Sequence, residues 1–543
     1  MPESISPETL MRQIADGTAP SIVDVRSTKE FTEGHVPGAI HLPFWQVGRH
    51  WQKLASLRDS PIVVYCGHGP RAYIAGAALR RRGFSNVVYL SGHMKKWREM
   101  KLPLTIACLL LAVAVLSAQQ AETGAPNAGH PNAGAALGTP PAAALGWQVR
   151  MVGVEGEGAK YWPVWRGPSG QGLVTGTYPD AWSATENVVW KKPVPGRGNS
   201  SPIVWGDRIF LTTAYEGGRR LSLLAFRRSD GTQLWETAAP DGRTGRAHYK
   251  NGHASATPST DGTLVYASFG SRGLAAFDFA GKLVWHKDLG DVDNYHGAAG
   301  SPLLYKNRVI LYQDFDGGSF VAAFDARTGK ELWRTPRRAF VGWGTPVAVR
   351  VGTRDEIVVS SQSSVTAYDP DTGRELWVCD GNSFEVIPTP VVGHGLVFAS
   401  SGRVGPTLAI RPGGRGNVTR THLAWTSPKG SPFVPSPIVY GDQLYLVNDM
   451  ASIVTSFEAA TGKVLWQGRL GVAQREGFSA SPVAVDGKIF FTNDQGETFV
   501  VRAGPTFELM RTNRIGETTL ASPALVEGRW YIRTDRSLFA IGR

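Results

Sequence analysis

The sequence predicts a multidomain protein: a small α/β domain, an apolar segment that is membrane-spanning or signal-like, and an all-β propeller of eight blades. Three observations lead to this fold class. An apolar, β-branched run ends in a lone cysteine and a glycine-rich loop at residues 62–71. Residues 102–118 contain no charge, and a Ser-Pro or Thr-Pro pair recurs eight times in the remainder of the chain. At 543 residues, the chain is long enough for several domains with separate cores.

The loop from Cys66 to Arg71, Cys-Gly-His-Gly-Pro-Arg, is the clearest chemical signal. The preceding run 62–65 predicts a buried parallel strand, and residues 71–82 predict a helix. Gly67 and Gly69 allow backbone N–H groups to turn toward the sulfur. The helix N-terminus and Arg71 favour a thiolate over a thiol. The pattern indicates a sulfur nucleophile, and the alternative is a buried structural cysteine in a tight turn.

Residues 1–103 resemble a single rhodanese (sulfurtransferase) domain. The matching stretches are Ile22-Val-Asp-Val-Arg26, Glu30-Phe31, Gly34-His-Val-Pro-Gly-Ala-Ile-His-Leu-Pro43, the Cys66–Arg71 loop, and Leu90-Ser-Gly92 with Trp97. The sequence departs from the family at His93, where a second glycine is usual.

The resemblance implies that Cys66 takes up sulfane sulfur as a persulfide from a small donor, thiosulfate or a persulfide, and passes it to a thiophilic acceptor. It assigns donor binding to Gly67, His68, Gly69 and Arg71, and support of the loop to Asp24 and Arg26. A six-residue loop suits sulfur, whereas related phosphatases have a longer loop that admits phosphate.

Composition excludes several other classes. The net charge of +12 is spread along the chain without a basic stripe that alternates with aromatic residues, so a nucleic-acid partner is not expected. The three cysteines, Cys66, Cys108 and Cys379, rule out a disulfide framework.

The apolar segment 104–118 predicts a membrane anchor, with lysines and arginines on its N-terminal side only. This asymmetry places the rhodanese-like domain in the cytoplasm and the propeller in the periplasm of a bacterial inner membrane. A secretory signal peptide starting near Met100 is the alternative, in which case the two halves are separate proteins in the cell. Residues 119–160 are rich in Ala, Gly and Pro and predict a flexible linker.

Residues 161–543 repeat with a period of 41 to 56 residues between successive prolines. Each unit contains short β-rich runs, a turn and usually a closing tryptophan strand, which is the pattern of one propeller blade. The last unit lacks its closing strand, and a spare tryptophan strand, 187–191, precedes the first unit. We therefore expect these two segments to pair and close an eight-bladed ring. A seven-bladed ring with one stray unit is the alternative.

The repeats resemble the PQQ-like propeller family, including members similar to the outer-membrane assembly lipoprotein BamB. PQQ-dependent members have adjacent cysteines over the cofactor and an acidic calcium site, whereas Cys379 is alone in this region. We therefore expect no required cofactor, although PQQ stays an alternative, and no metal. Four polar residues, His253, His296, Glu385 and Glu476, precede Ser/Thr-Pro pairs and are weak candidates for a ligand site at the propeller channel.

The sequence thus predicts a membrane-tethered sulfurtransferase whose propeller is not catalytic and binds an envelope protein or a small ligand. Two other functions stay open. One is an envelope interaction scaffold with a passive rhodanese module, and the other is a PQQ-dependent oxidoreductase.

Overall fold

The computed structural model describes residues 3–105 and 149–542, apart from positions 27, 45, 68, 69, 316, 317, 340, 403, 404 and 429. The chain forms two compact units. Most of the predicted anchor and the first part of the predicted linker, residues 106–148, lie outside the described residues. Among the residues that are described, no helix combines the length and the apolar character needed to cross a bilayer.

The N-terminal unit is an α/β domain. Its elements in chain order are β1 (Ser4–Ile5), α1 (Pro7–Ala15), β2 (Ser21–Asp24), α2 (Thr28–Thr32), β3 (Ile40–His41), α3 (Val47–His50), a 3-10 helix (Trp51–Leu57), β4 (Ile62–Tyr65), α4 (Pro70–Arg80), β5 (Val87–Leu90) and α5 (His93–Glu99). The strands are parallel in the order β1-β5-β4-β2-β3. Thr105 pairs with His35, so the unit extends slightly beyond the predicted end at residue 103.

Strand β4 lies at the centre of this sheet, and all four of its residues are buried. A strand covered on both faces needs apolar side chains on both, which explains the unbroken apolar run in the sequence. The helix predicted over 71–82 begins at Pro70, a residue suited to the first helical turn because its missing N–H is not needed there. The Cys66 loop therefore connects the carboxyl end of the central strand to a helix N-terminus.

The C-terminal unit is an eight-bladed propeller. Its elements in chain order are β6 (Val149–Met151), β7 (Val188–Pro193), β8 (Ile203–Trp205), β9 (Arg208–Tyr215), β10 (Arg220–Arg227), β11 (Gln233–Ala238), β12 (Ser259–Thr260), β13 (Leu264–Ser268), β14 (Leu274–Asp278), β15 (Leu283–Lys287), β16 (Leu303–Tyr305), β17 (Arg308–Gln313), β18 (Phe320–Asp325), β19 (Glu331–Pro336), β20 (Val347–Val351), β21 (Arg354–Ser361), β22 (Ser364–Tyr368), β23 (Glu375–Asp380), β24 (Val391–Gly393), β25 (Leu396–Ser400), β26 (Thr407–Ile410), β27 (Gly416–Asn417), α6 (Thr419–His422), β28 (Leu423–Ser427), β29 (Ile438–Tyr440), β30 (Gln443–Asn448), β31 (Ile453–Glu458), β32 (Val464–Arg469), β33 (Val483–Val485), β34 (Lys488–Thr492), β35 (Glu497–Arg502), β36 (Leu509–Arg514), β37 (Ala524–Val526), β38 (Arg529–Arg533) and β39 (Ser537–Ile541). Short 3-10 helices lie between these strands at Gly156–Lys160, Glu216–Gly218 and Gly270–Arg272.

The eight sheets are numbered blade 1 to blade 8 in chain order, beginning with the sheet β8–β11. Blade 8 contains β37, β38 and β39, and its fourth strand is β7 from the start of the unit. In this pairing Ala540 lies opposite Trp190. The predicted closure by the spare tryptophan strand is confirmed. Blade 4 is the exception to four strands, since β6 and β27 extend its sheet to six.

Tryptophans on the outermost strands join neighbouring blades. In six cases the indole N–H donates to a backbone carbonyl of the following blade, at 2.8–3.1 Å, and the donors are Trp190, Trp235, Trp285, Trp333, Trp425 and Trp466. Trp377 in blade 4 differs, because its indole N–H binds the buried carboxylate of Glu356 at 2.7 Å.

The Ser/Thr-Pro pairs form a closed ring of hydrogen bonds around the propeller axis. In each pair the backbone N–H of the Ser or Thr donates to the side-chain hydroxyl of the equivalent residue in the next blade, at 2.8–3.3 Å. We call the eight side chains the hydroxyl ring: Ser201, Thr257, Ser301, Thr345, Thr389, Ser436, Ser481 and Ser522. The last N–H, on Ser522, donates to Ser201, so the ring closes without a gap.

Residues 149–174, which we call the floor segment, run across one end of the propeller. The segment bonds to the innermost strands of five blades, always at the position two residues after the blade's proline: Val204, Thr260, Ala348, Val392 and Ala484. Since these positions are equivalent, the segment covers that end of the channel. The propeller unit therefore includes residues 149–160, which the sequence assigned to the linker.

Candidate functional sites

Cys66 lies directly after β4, buried, at the carboxyl edge of the parallel sheet. The N-terminus of α5 holds its loop in place. The backbone N–H of Met94 donates to the Cys66 carbonyl at 3.0 Å, and that of Lys95 donates to the Gly67 carbonyl at 3.1 Å. Of the predicted donor-binding residues, His68 and Gly69 lie outside the described residues. The structure thus defines the start of the loop and its hydrogen bonds to the N-terminus of α5.

Arg71, in the first turn of α4, is held by Glu30 of α2. The guanidinium Nη1 and Nη2 donate to the two carboxylate oxygens at 2.7 and 2.8 Å. Burial opposes the charge of Arg71, but Glu30, with a smaller contribution from the Cys66 sulfur, raises the pKa of Arg71 above its ordinary value. A Cβ atom at Gly67 would lie 2.9 Å from Nη2 of Arg71, so a larger residue at position 67 would displace the guanidinium. The arrangement places a permanent positive charge beside the thiol.

Asp24 and Arg26 form a buried network under the loop. The guanidinium Nε and Nη2 of Arg26 donate to the Asp24 carboxylate, and Nη2 also donates to the Gly34 carbonyl at 2.9 Å. The Tyr65 hydroxyl donates to Asp24 at 2.8 Å and accepts the N–H of Val36 at 3.0 Å. Burial and the Asp24 carboxylate raise the pKa of Tyr65. The network joins the ends of β2 and β4, next to the start of the Cys66 loop, and the supporting role of Asp24 and Arg26 stays a prediction.

Two further residues adjoin this loop, and the sequence alone did not identify them as functional. Glu30 orients Arg71, and its only sequence signal was its place in a matching stretch. His93 has a left-handed backbone, with φ of 51°, and its buried ring accepts the N–H of Cys66 at Nδ1, at 3.4 Å. The departure from the usual glycine was the signal for His93.

The four weak candidates of the propeller do not all meet. His296 and Glu476 line a cavity at the propeller axis. Glu385 lies beside His296, with Oε1 3.9 Å from Nε2 of His296 and 2.6 Å from the Tyr295 hydroxyl that donates to it. His253 lies in a separate, small cavity with Gly218, and burial and the Arg272 guanidinium lower its pKa. Within the described ranges, no three His, Cys, Asp or Glu side chains are grouped to hold a metal ion.

The axial cavity has a volume of about 190 Å³ and contains all eight members of the hydroxyl ring on its wall. Trp165 of the floor segment lies at the closed end, and His248, Lys250, Trp343 and Glu476 are among its other lining residues. Lys250 reaches across from the connection between blades 1 and 2. Its ammonium binds the Asp494 carboxylate at 2.8 Å and the Glu476 carbonyl at 2.6 Å, on the far side of the ring.

In comparisons with known proteins, the two structural units match two different families. The family model described as outer membrane protein assembly factor BamB matches residues 144–309, 222–467 and 450–542. The rhodanese-like domain model matches residues 6–100.

Relatives of the N-terminal unit include sulfurtransferases. A sulfurtransferase of Allochromatium vinosum is 32% identical over 104 residues, which cover 19% of this chain and 95% of that protein. The thiosulfate sulfurtransferase GlpE of Pseudomonas entomophila is 37% identical over 95 residues, which cover 18% of this chain and 84% of that protein.

Among solved structures, the quinohemoprotein alcohol dehydrogenase of Comamonas testosteroni aligns with a TM-score of 0.54 and 12% identity, over 74% of this chain and 84% of that one. At this identity the likeness shows the propeller fold alone.

Proposed function

The chain belongs to the family of the outer membrane protein assembly factor BamB and has a rhodanese-like sulfurtransferase domain ahead of its propeller, and from that domain we propose that the protein transfers sulfane sulfur through Cys66. One observation supports this reaction above the others. The thiol lies at a strand-to-helix loop beside the Arg71 guanidinium, in a unit whose relatives include sulfurtransferases.

In the first proposed step, the Cys66 thiolate attacks the outer sulfur of thiosulfate. The new bond joins Sγ to that sulfur, the S–S bond of thiosulfate breaks, and sulfite leaves with the bonding electron pair. In the second step, a thiophilic acceptor such as cyanide attacks the outer sulfur of the persulfide. The Cys66 thiolate leaves and is regenerated, so the cycle needs no external oxidant or reductant. The positive charge of Arg71 attracts the anionic donor to the loop.

The experiment compares the full chain with its Cys66→Ser variant in thiosulfate-to-cyanide transfer, measured as thiocyanate. We expect loss of transfer and loss of the mass gain of one sulfur atom on the intact protein after thiosulfate treatment. The matched control is Cys379→Ser in the propeller, where burial raises the pKa of the thiol to about 11 and keeps it unreactive. Retained transfer in Cys66→Ser would end this assignment.

For the propeller, we propose a binding role in the bacterial envelope, supported by the BamB family match. The chain would be held in the inner membrane by residues 104–118, with the sulfurtransferase domain on the cytoplasmic side. A blot with tags at both ends, combined with protease treatment of spheroplasts, tests this. One protected and one cleaved tag on a single chain supports the proposal, and two separate bands support a cleaved signal. A passive rhodanese module on an interaction scaffold predicts partner capture that is unchanged in Cys66→Ser.

Quinoprotein oxidation is the third possibility. PQQ is an ortho-quinone with several carboxylates and needs free cationic partners. The cavity at the axis contains Glu476, and its lysine, Lys250, is already bound to Asp494. This donor set does not fit an anionic quinone, so we propose no step through it.

A further inference from the structure

The axial cavity of the propeller has the features of a built binding site. Its wall includes the hydroxyl ring, of which Ser201, Thr257, Thr389 and Ser436 are at most 3% exposed. One end is covered by the floor segment, with Trp165 facing the cavity. The cavity of about 190 Å³ exceeds the roughly 150 Å³ that holds a benzene ring in an engineered cavity. A single six-membered ring therefore fits.

The hydroxyl ring sets the hydrogen-bonding character of the wall. Each hydroxyl oxygen accepts one backbone N–H from a neighbouring blade, and none donates its proton to another described residue. A hydroxyl has one proton and two lone pairs, so each member retains one donor and one acceptor beyond its bond within the ring. Hydroxyl groups of a ligand are matched to this wall because they also donate and accept. A carboxylate accepts only, and an ammonium donates only.

Aromatic and aliphatic faces complete the cavity. Trp165 and Trp343 contribute indole rings, and Phe433, Ile387 and Leu520 contribute further apolar surface. The Trp343 indole N–H is bound by the Gly297 carbonyl at 2.9 Å, which holds that ring in place. Such surfaces pack against the C–H faces of a ring whose edge is polar.

Two charged side chains of opposite sign line the cavity. Lys250 and Glu476 are the charged lining residues among those described, with His248 and His296 as the titratable neighbours. The Lys250 ammonium is bound by Asp494, at 2.8 Å. An anionic ligand would therefore have to compete with Asp494 for the Lys250 ammonium, which disfavours anions.

We propose that the axial cavity binds a neutral, polyhydroxylated ring: a monosaccharide or the terminal sugar of a glycan. The match rests on the hydroxyls of the wall, the apolar faces at the floor and side, the ring-sized volume and a lysine that is already paired with Asp494. It is independent of sulfur transfer at Cys66, since it depends on the propeller unit alone.

The test titrates the full chain with glucose, galactose and mannose, and with glucuronate as the charged analogue, by calorimetry and tryptophan fluorescence. We expect saturable binding of at least one neutral hexose and about tenfold weaker binding of glucuronate. Methyl glycosides and oligosaccharides distinguish the source. A preference for a chain end indicates a glycan, and equal binding indicates the free sugar. The proposal is overturned if no neutral sugar saturates, or if glucuronate binds at least as well.

Two variants locate the site. Ala299→Leu and Val434→Phe fill the cavity from different connections of the ring without removing a hydrogen bond, and each should weaken binding by about tenfold or more. The control is Ala280→Leu at an exposed turn, which should bind normally. Far-ultraviolet circular dichroism confirms folding. Because there are two cavity-filling variants, the test still works if one of them misfolds. Binding unaffected by a folded filler would place the sugar elsewhere and overturn the proposal.

Discussion

The Arg71 guanidinium and the Glu30 carboxylate form a two-point ion pair across 41 residues of sequence, with both N···O distances below 2.9 Å. The pair lies against the Cys66 loop, so Glu30 both orients Arg71 and offsets part of its charge. Replacing Glu30 by Ala frees the guanidinium, and we expect kcat/KM for thiosulfate to fall by about tenfold or more because orientation is lost. Glu30→Gln keeps one oxygen acceptor and should lose less.

Steady-state thiocyanate formation by the three proteins measures this effect. Glu33→Ala, at an exposed position three residues away, is the control for general damage to the segment. If Glu30→Ala is as active as the unchanged chain, Arg71 is positioned by other contacts.

His93 combines a left-handed backbone with a ring that accepts the Cys66 N–H. Three substitutions separate the two features, because glycine and asparagine tolerate φ > 0 and alanine does not. We expect His93→Asn to retain most activity, since its side chain can still accept a hydrogen bond. His93→Gly should fold normally and lose kcat, and His93→Ala should lose stability as well.

The control for the backbone effect is Lys101→Gly. Lys101 has φ of 53° and lies at the exposed end of α5, away from the Cys66 loop. The Lys101→Gly variant should have a changed melting temperature and unchanged sulfur transfer. Equal activity of the Gly and Asn variants at position 93 would show that the ring does not act through Cys66.

Features that repeat or form unbroken runs were predictable. The run 62–65 had to be a central strand because it is apolar on both faces, and the structure places β4 there. Eight Ser/Thr-Pro pairs required eight blades, and the missing last strand required a donor at the start, which β7 provides. The signal for the central strand is local in the sequence, and the signal for the blades is repeated eight times.

Features that depend on one long-range contact were not predictable. The Lys250 ammonium donates to the backbone carbonyl of Glu476, 226 residues away, and no sequence periodicity predicts such a contact. The floor segment is rich in Gly and Pro and has little strand character, yet it is ordered by bonds to five blades. Trp377 follows the same motif as its counterparts, but a buried carboxylate on its own sheet, Glu356, takes its N–H.

Closure of the propeller depends on close contact between Trp190 and Gly231 of blade 1. A Cβ atom at Gly231 would lie 2.6 Å from the Trp190 ring, and the glycine has φ of 71°. Gly231→Ala should therefore lower the free energy of unfolding by about 2–4 kcal/mol, since an overpacked contact adds to backbone strain. Chemical denaturation of the propeller, followed by tryptophan fluorescence, measures the loss.

Gly206→Ala is the matched control for that substitution. Gly206 also has positive φ, 55°, but a Cβ atom there meets nothing within 4 Å. Gly206→Ala should lower the free energy of unfolding by only about 1 kcal/mol, because the backbone conformation alone disfavours alanine there. Equal losses at the two positions would show that packing against Trp190 contributes nothing to closure.

Asp449 makes the stability of the propeller dependent on pH. Its side chain is buried, Oδ1 accepts the Phe433 N–H at 2.7 Å, and Oδ2 has no hydrogen-bond partner among the described residues. Burial raises the pKa of Asp449 to about 7, with Lys250 opposing and Glu476 reinforcing the effect. An unfolded aspartate has a pKa of about 3.9. Between these values the folded state binds more protons, so its stability falls as pH rises from about 4 to about 7 and then levels off.

Asp449→Asn imitates the protonated carboxyl and should remove this dependence. We expect the variant to melt at a higher temperature than the unchanged chain at pH 8, with the difference shrinking toward pH 4 as the wild-type carboxyl takes up its proton. Asp442→Asn, whose side chain is 96% exposed, controls for loss of a negative charge and should follow the unchanged chain throughout. A difference between Asp449→Asn and the unchanged chain that is constant over this range would mean that Asp449 is already ionised in the folded state at low pH. Lys250 would then compensate its charge despite the burial.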